Sequence, residues 1–218
     1  MRYIEIVILN LFQDLNGIRS RSKFGMTLLL VILGVSKGAW AIPEMQKFEN
    51  YLNELKTLSG DFTQTNSKGQ RVTGTIQISR PGKMRLDYNP PSSLLIVADG
   101  KWLVTYDKEA DEVSYVSLDN TPAAFILRPY IQFSGDVAIT SIIPKGNATE
   151  ISLIRKEEPD AGYISLVFSN NPVALKEWSV VDSQGVKTRV VLSQIETNVN
   201  LSPDLFMIKS PNLIQQIF

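Results

Sequence analysis

The sequence predicts a mainly β, α+β fold: one large curved sheet with a few helices packed on one face. After the first helix signal the period changes to the two that is typical of strands, with Val72, Gly74, Ile76 and Ile78 alternating with polar residues, and the chain from there is mostly candidate strands. Turn-forming residues separate these stretches, and one of the turns, Asp99-Gly100, is a strong hairpin signal between two apolar runs. Helix signals are confined to short segments. An antiparallel meander is therefore expected.

The first helix is predicted over residues 43–58. Its apolar residues recur at the spacing of one helix face: Met45, Phe48, Leu52 and Leu55. Pro43 near the start and Ser59-Gly60 at the end are the expected start and stop signals.

Strands are predicted in two groups. The first group comprises residues 60–66, 70–80, 83–88, 93–98, 101–107 and 111–117. The second comprises residues 137–143, 149–155, 162–169, 174–182 and 186–196. A short apolar helix over residues 122–127 separates the groups, with Thr121 as its N-cap and Pro129 as its terminator. A last short helix is predicted to begin at Ser202-Pro203-Asp204.

Composition excludes much of enzymology. The 218 residues include no Cys and no His, which removes disulfides, thiol nucleophiles, imidazole catalysis and nearly every zinc or copper site. A chain without Cys cannot carry an N-terminal lipidated Cys, so a soluble protein is expected. No glycosidase-type carboxylate pair and no phosphate-binding glycine loop is indicated, so neither an enzyme nor a cofactor is predicted.

The N-terminus is typical of an export signal. Basic residues precede an apolar run at 26–35, and Ala39-Trp40-Ala41 fits a small-x-small cleavage site. Residues 1–41 are therefore predicted to be a signal peptide, with a mature chain of residues 42–218 in one domain. Residues 1–18 suggest an over-extended start. The mature chain is mildly acidic, which favours neither nucleic-acid nor anionic-membrane binding.

A sheet of this length tends to curl, and a curled sheet that does not close leaves a concave apolar face. The helices at 43–58 and 122–127 each have an apolar side that could cover that face. Periodicity alone leaves two arrangements open, a solid core beneath the helices or a cavity.

The run from Arg80 to Pro91, RPGKMRLDYNPP, is followed at once by VADGKW at 97–102. The first-helix exit LSGDFTQ at 58–64 and the DNTP segment at 119–122 lie in the same order around it. Together these motifs resemble the LolA-type periplasmic lipoprotein carriers, over nearly the whole mature chain.

The resemblance implies an incomplete antiparallel β-barrel with a helical lid over a hydrophobic cavity. It implies a periplasmic chaperone that binds the acyl chains of lipoproteins released from the inner membrane and carries them to the outer membrane. Arg80 matches the family's lid latch. The cavity candidates, from the alternating strand faces and the lid, are Phe62, Ile76, Ile78, Met84, Leu86, Leu95, Trp102, Phe125 and Ile126.

The resemblance also implies partners for a monomeric carrier: acylated lipoproteins, an inner-membrane ABC-type lipoprotein-releasing complex, and an outer-membrane receptor or the outer membrane itself. Two alternatives remain open from the sequence. One is a lipoprotein sensor or receptor that uses the same half-barrel, and the other is an envelope protein whose apolar face meets another protein.

Overall fold

The computed structural model describes residues 42–208, and the predicted signal peptide lies outside them. Within this range the chain forms one antiparallel sheet of eleven strands. The strands are β1 (Thr57–Thr65), β2 (Arg71–Ser79), β3 (Lys83–Tyr88), β4 (Leu94–Asp99), β5 (Trp102–Asp107), β6 (Glu112–Ser117), β7 (Val137–Lys145), β8 (Ala148–Arg155), β9 (Gly162–Asn170), β10 (Val173–Asp182) and β11 (Lys187–Thr197). Each predicted strand overlaps an observed one, and the predicted fold class is confirmed.

The sheet consists of two meanders joined at one seam. Its strand order is β6-β5-β4-β3-β2-β1-β11-β10-β9-β8-β7, so the first and last strands of the chain are neighbours at the centre. Phe62 of β1 pairs with Leu192 of β11 at that seam. Because β6 and β7 are the two edges, the sheet is open, and the segment between them crosses from one edge to the other.

Helix α1 (Ile42–Glu54) packs on the inner face of the sheet. Its Phe48 is fully buried and lies 4.9 Å, centroid to centroid, from Phe168 of β9. The predicted end at residue 58 is wrong, because the chain has already entered the sheet at Thr57. There the Thr57 hydroxyl donates to the carbonyl oxygen of Val199, and Leu58 pairs with Thr197.

Helix α2 (Ala123–Leu127) is a short helix on the segment between β6 and β7. The predicted N-cap is wrong by one residue, since Pro122 occupies that position. The fully buried Thr121 hydroxyl instead donates to the carbonyl oxygen of Leu118, at 2.7 Å, and so closes the preceding turn. The predicted last helix is a single 3-10 turn, Pro203–Phe206.

Strand β4 is buried on both faces. Ile96 and Ala98 point into the main core, whereas Leu95 and Val97 form a smaller cluster on the opposite face. Phe206 of the C-terminal 3-10 turn covers that smaller cluster. None of the helices in residues 42–208 has the length and hydrophobicity needed to cross a membrane.

Candidate functional site

An apolar cavity of about 50 Å³ lies between the inner face of the sheet and helix α2. Both meanders line it. The first contributes Ile78, Met84, Leu86 and Ile96, and the second contributes Ile164, Trp178, Val180 and Val190. Pro122, Ala123 and Ile126 form the roof, so α2 with its preceding proline covers the cavity, and we call this segment the lid.

One end of the cavity is polar. Gln64, Tyr88 and Thr188 line it there, and each is at least nine-tenths buried. The Tyr88 hydroxyl donates to Gln64 Oε1 at 2.8 Å. Burial raises the pKa of the Tyr88 hydroxyl, and the hydrogen bond to Gln64 offsets only part of that rise. Tyr88 is therefore a neutral donor at physiological pH.

A second, larger cleft of about 380 Å³ adjoins the cavity. The two share Pro122, Ile164 and Val180 in their linings. In contrast to the cavity, the cleft is lined by charged side chains, among them Asp119, Arg128, Asp136, Arg155, Glu157 and Glu158. A cleft with charged walls thus adjoins the apolar cavity beside the lid.

Arg80 joins the lid to α1. Its Nε donates to the carbonyl oxygen of Arg128 at 2.9 Å, and its Nη2 donates to the same oxygen. Its Nη1 donates to the carbonyl oxygen of Leu52 and, at 3.2 Å, to that of Leu55. We call this set of contacts the Arg80 latch.

The latch satisfies carbonyl groups that a helix leaves unpaired. Leu52 is in the last turn of α1, Leu55 follows that helix, and Arg128 is the C-cap of α2. The last carbonyls of a helix lack intrahelical partners and carry its negative dipole end, which a guanidinium fork complements. Burial lowers the pKa of Arg80 from its ordinary value, but an Arg remains charged in proteins.

Two further contacts hold the end of the lid. The backbone N–H of Gly82 donates to the carbonyl oxygen of Leu127 at 2.9 Å. The Arg128 guanidinium makes a two-pronged ion pair with Asp136, with Nη1 to Oδ1 at 3.0 Å. The Arg128 hydrogen bonds hold the pKa of Asp136 below its usual range, outweighing the opposite effect of burial.

The nine predicted cavity residues separate into groups. Four of them line the cavity: Ile78, Met84, Leu86 and Ile126. Phe62 and Ile76 are buried in the same core without lining the cavity, and Phe125 lines the adjoining cleft. Leu95 lies on the opposite face of the sheet, and Trp102 is 39% exposed at the start of β5.

The nine candidates did not include ten residues of the lining. Seven of the ten lie on strands whose inner face the pattern did not identify: Tyr88, Ile96, Ile164, Trp178, Val180, Thr188 and Val190. Two more, Pro122 and Ala123, belong to the predicted covering helix. The tenth is Gln64, which ends the first-helix exit motif and is polar where a search for apolar alternation finds nothing. In residues 42–208 no cluster of three or more carboxylates is arranged to hold a metal ion.

Apolar walls between an open sheet and a short, hydrogen-bonded covering helix indicate the class of proteins that bind apolar ligands. Residues 53–209 match the family model of the outer membrane lipoprotein carrier protein LolA, and the chain belongs to that family. The predicted family, a carrier family rather than an enzyme family, is thereby confirmed.

The chain is also similar to individual proteins. The chain is 32% identical to an outer-membrane lipoprotein carrier protein of Chromobacterium violaceum, covering 85% of this chain and 92% of the relative. It is 28% identical to an uncharacterized protein of Rickettsia prowazekii, covering 78% of each chain. Among solved structures, it is similar to the LolA superfamily protein NE2245 from Nitrosomonas europaea, with a TM-score of 0.42 and 9% identity over 75% of this chain and 97% of that one.

Proposed function

We propose that this chain is a periplasmic carrier that takes up the acyl chains of lipoproteins released from the inner membrane and carries them to the outer membrane. The observation that carries the proposal is the lidded cavity, whose apolar walls come from both meanders and whose roof is held by the Arg80 latch. The names of the curated relatives favour the carrier over the sensor and envelope-protein alternatives.

The physical task of such a carrier is to offset the cost of exposing acyl chains to water. Burial of each methylene is worth about 0.8 kcal/mol, so a lipoprotein with several long chains is held in its membrane by tens of kcal/mol. A carrier that did not offer an apolar cavity could not extract it. A carrier that bound too tightly could not pass the lipoprotein on.

Lid opening meets both requirements. A volume of about 50 Å³ has room for a few water molecules but not for a long acyl chain, so the lid must move for loading. Closing hides the apolar walls from water again, and cargo shifts the balance toward the open form by binding it better. In this proposal the Arg80 latch sets the stability of the closed form.

Location and partners follow from the same proposal. The N-terminal segment directs export and is cleaved near Ile42, and the mature chain acts as a monomer in the periplasm. An inner-membrane ABC-type complex releases lipoproteins to it, and an outer-membrane receptor or the outer membrane itself accepts them. N-terminal sequencing of the exported protein tests the cleavage site.

The direct test is release of a tagged outer-membrane lipoprotein from spheroplasts that contain a lipoprotein-releasing complex. Adding the purified mature chain should bring the lipoprotein into the soluble fraction as a one-to-one complex. Lipoprotein that stays in the pellet, while an established carrier releases it in parallel, would overturn the proposal. Binding of a fluorescent fatty acid separates a ligand-binding half-barrel from an envelope protein with a solid core.

A further inference from the structure

Gln64 carries an unused hydrogen-bond donor at the wall of the cavity. Its side chain is 3% exposed, and within residues 42–208 its Nε2 atom has no hydrogen-bond partner. We infer that the Gln64 amide donates a hydrogen bond to the ester or amide carbonyl at the head of a bound acyl chain. The inference rests on the proposed function and names the chemical group that the cavity recognises.

The Gln64 amide is hydrogen-bonded to Tyr88. The Tyr88 hydroxyl donates to Gln64 Oε1, which leaves the Nε2 side of the amide for another acceptor. The Tyr88 ring is itself fixed, because it packs edge-on against Phe62 with centroids 5.0 Å apart. Tyr88 is therefore a positioning residue for the donor, and Gln64 is the residue that contacts the ligand.

A buried donor without an acceptor is costly, so a polar side chain at this wall calls for an explanation. Every acyl chain begins at a carbonyl, which accepts but cannot donate. An apolar cavity that enclosed the whole acyl group would leave that carbonyl without a partner. A hydrogen bond from the Gln64 amide to the acyl carbonyl satisfies both groups, so neither the buried donor nor the buried carbonyl is left without a partner.

The position of Gln64 fits the head of the ligand rather than its tail. Gln64 of β1 pairs with Val190 of β11. Thr188, two residues earlier on β11, pairs with Val180 of β10. Val180 belongs to both the cavity and the charged cleft, so the polar end of the cavity adjoins the way out. An acyl carbonyl at Gln64 would leave the polar remainder of the lipoprotein beside that cleft, with the hydrocarbon among the apolar walls.

The test compares two ligands of equal chain length, methyl hexadecanoate and hexadecane, by displacement of a fluorescent fatty acid. Gln64→Leu should weaken ester binding by about tenfold, the effect of losing one hydrogen bond in a dry site, and leave hexadecane binding unchanged. Tyr88→Phe should give a smaller, ester-selective loss. Equal losses for both ligands, or no loss for either, would overturn the inference.

Gln77 is the matched control. It lies on β2 between Ile76 and Ile78, its Oε1 likewise has no partner among the described residues, and it does not line the cavity. Gln77→Leu should leave both affinities unchanged, and an ester-selective loss there would count against the inference. If Gln64→Leu does not fold, Gln64→Met replaces it, since it has a similar shape and also lacks the donor.

Infrared spectroscopy supplies a readout that a structural role would not change. The carbonyl stretch of a carbon-13-labelled ester should move to lower frequency in the wild-type complex and return in Gln64→Leu; an unchanged band in both overturns the inference. Failure of the proposed function looks different: a chain with a solid core would bind neither ligand, and a sensor would bind both but release no lipoprotein from spheroplasts.

Discussion

Arg80 donates two hydrogen bonds to a single acceptor, the backbone carbonyl oxygen of Arg128, through Nε and Nη2. The same guanidinium reaches the carbonyl oxygens at the end of α1. One side chain thus ties the end of the lid helix to the end of the helix that packs on the sheet. In the proposed mechanism, opening the lid breaks these contacts together, because a guanidinium is planar and its donors are fixed relative to one another.

Replacement of Arg80 should therefore separate loading from release. Arg80→Leu removes charge-assisted bonds worth about 1.5–3 kcal/mol each, so the closed form loses stability and cargo should remain bound. We expect loading to continue and transfer to outer-membrane vesicles to slow by roughly tenfold or more. Arg80→Lys keeps the charge without the fork, and we expect an intermediate rate.

Arg189 provides the control for this experiment. It is also a two-pronged arginine, paired with Glu177, but its side chain is half exposed and makes these bonds away from the lid. Arg189→Leu should leave loading and transfer unchanged. The assignment of the latch fails if Arg80→Leu loads and releases lipoprotein as the wild-type chain does.

The turn after Arg80 depends on a glycine. Gly82 has a φ of +78°, and a Cβ added there would lie 2.8 Å from the Cα of Gly100. Gly69 has nearly the same φ, +76°, with nothing within 4 Å of such a Cβ. Both alanine variants incur the left-handed penalty of about 1–2 kcal/mol, but only Gly82→Ala adds a backbone clash.

We therefore expect both variants to lower the free energy of unfolding. The decrease should be about 1–3 kcal/mol larger for Gly82→Ala than for Gly69→Ala. Gly82→Ala should also disturb the lid, because the backbone N–H of residue 82 donates to the carbonyl oxygen of Leu127 at the end of the lid helix. Chemical denaturation measures the first effect and hydrogen exchange over residues 121–131 the second. Equal destabilisation by the two variants would show that the turn can shift to relieve the contact.

The sequence predicted the strands well because alternation and turn residues are local signals. It did not predict which face points inward, since a period of two describes both faces equally. Leu95 and Ile96 illustrate the difficulty, because both are apolar and both are buried, on opposite sides of β4.

The partners of Arg80 were hidden from the sequence for a different reason. Its acceptors are backbone carbonyls, which every residue has, so nothing in the identity of Leu52 or Arg128 marks them. Gln64 was missed because a search for apolar alternation passes over polar residues. Its role depends on its Tyr88 partner, which lies on another strand, β3.

The ion pair between Arg128 and Asp136 predicts a pH dependence of lid opening. Because the folded pKa of Asp136 is lowered, the pair contributes its full stability above the ordinary carboxyl pKa of about 3.9. That stability is lost as the pH falls through the lowered folded pKa. The contribution of this pair to lid closure should thus stay constant from about pH 7 to pH 5. Lid opening should increase below about pH 4, where the pair is lost.

Asp136→Asn tests this directly. Because the carboxylate is largely exposed, solvent screens the pair, and the variant should raise lid opening at neutral pH by only about twofold to fivefold. The difference between wild type and variant should disappear in acid, which separates Asp136 from other carboxylates that titrate in the same range. A difference that persists at the lowest pH would mean that the carboxylate charge is not responsible.

The lid and the core should respond differently to loss of an apolar side chain. Ile126 lies in the roof of the cavity. Phe48, on α1, is fully buried against Phe168 of the sheet. Phe48→Ala should lower the free energy of global unfolding by about 3–5 kcal/mol. Ile126→Ala removes contacts that the open lid has already lost, so it should favour opening while global stability changes much less.

Hydrogen exchange separates the two effects. Ile126→Ala should speed exchange over residues 121–131 by about tenfold or more, with the central strands β1 and β11 protected as in the wild type. Phe48→Ala should instead shift the denaturation midpoint and lower protection in those central strands. If Ile126→Ala destabilised the whole chain as much as Phe48→Ala, α2 would be an inseparable part of the core and could not act as a lid.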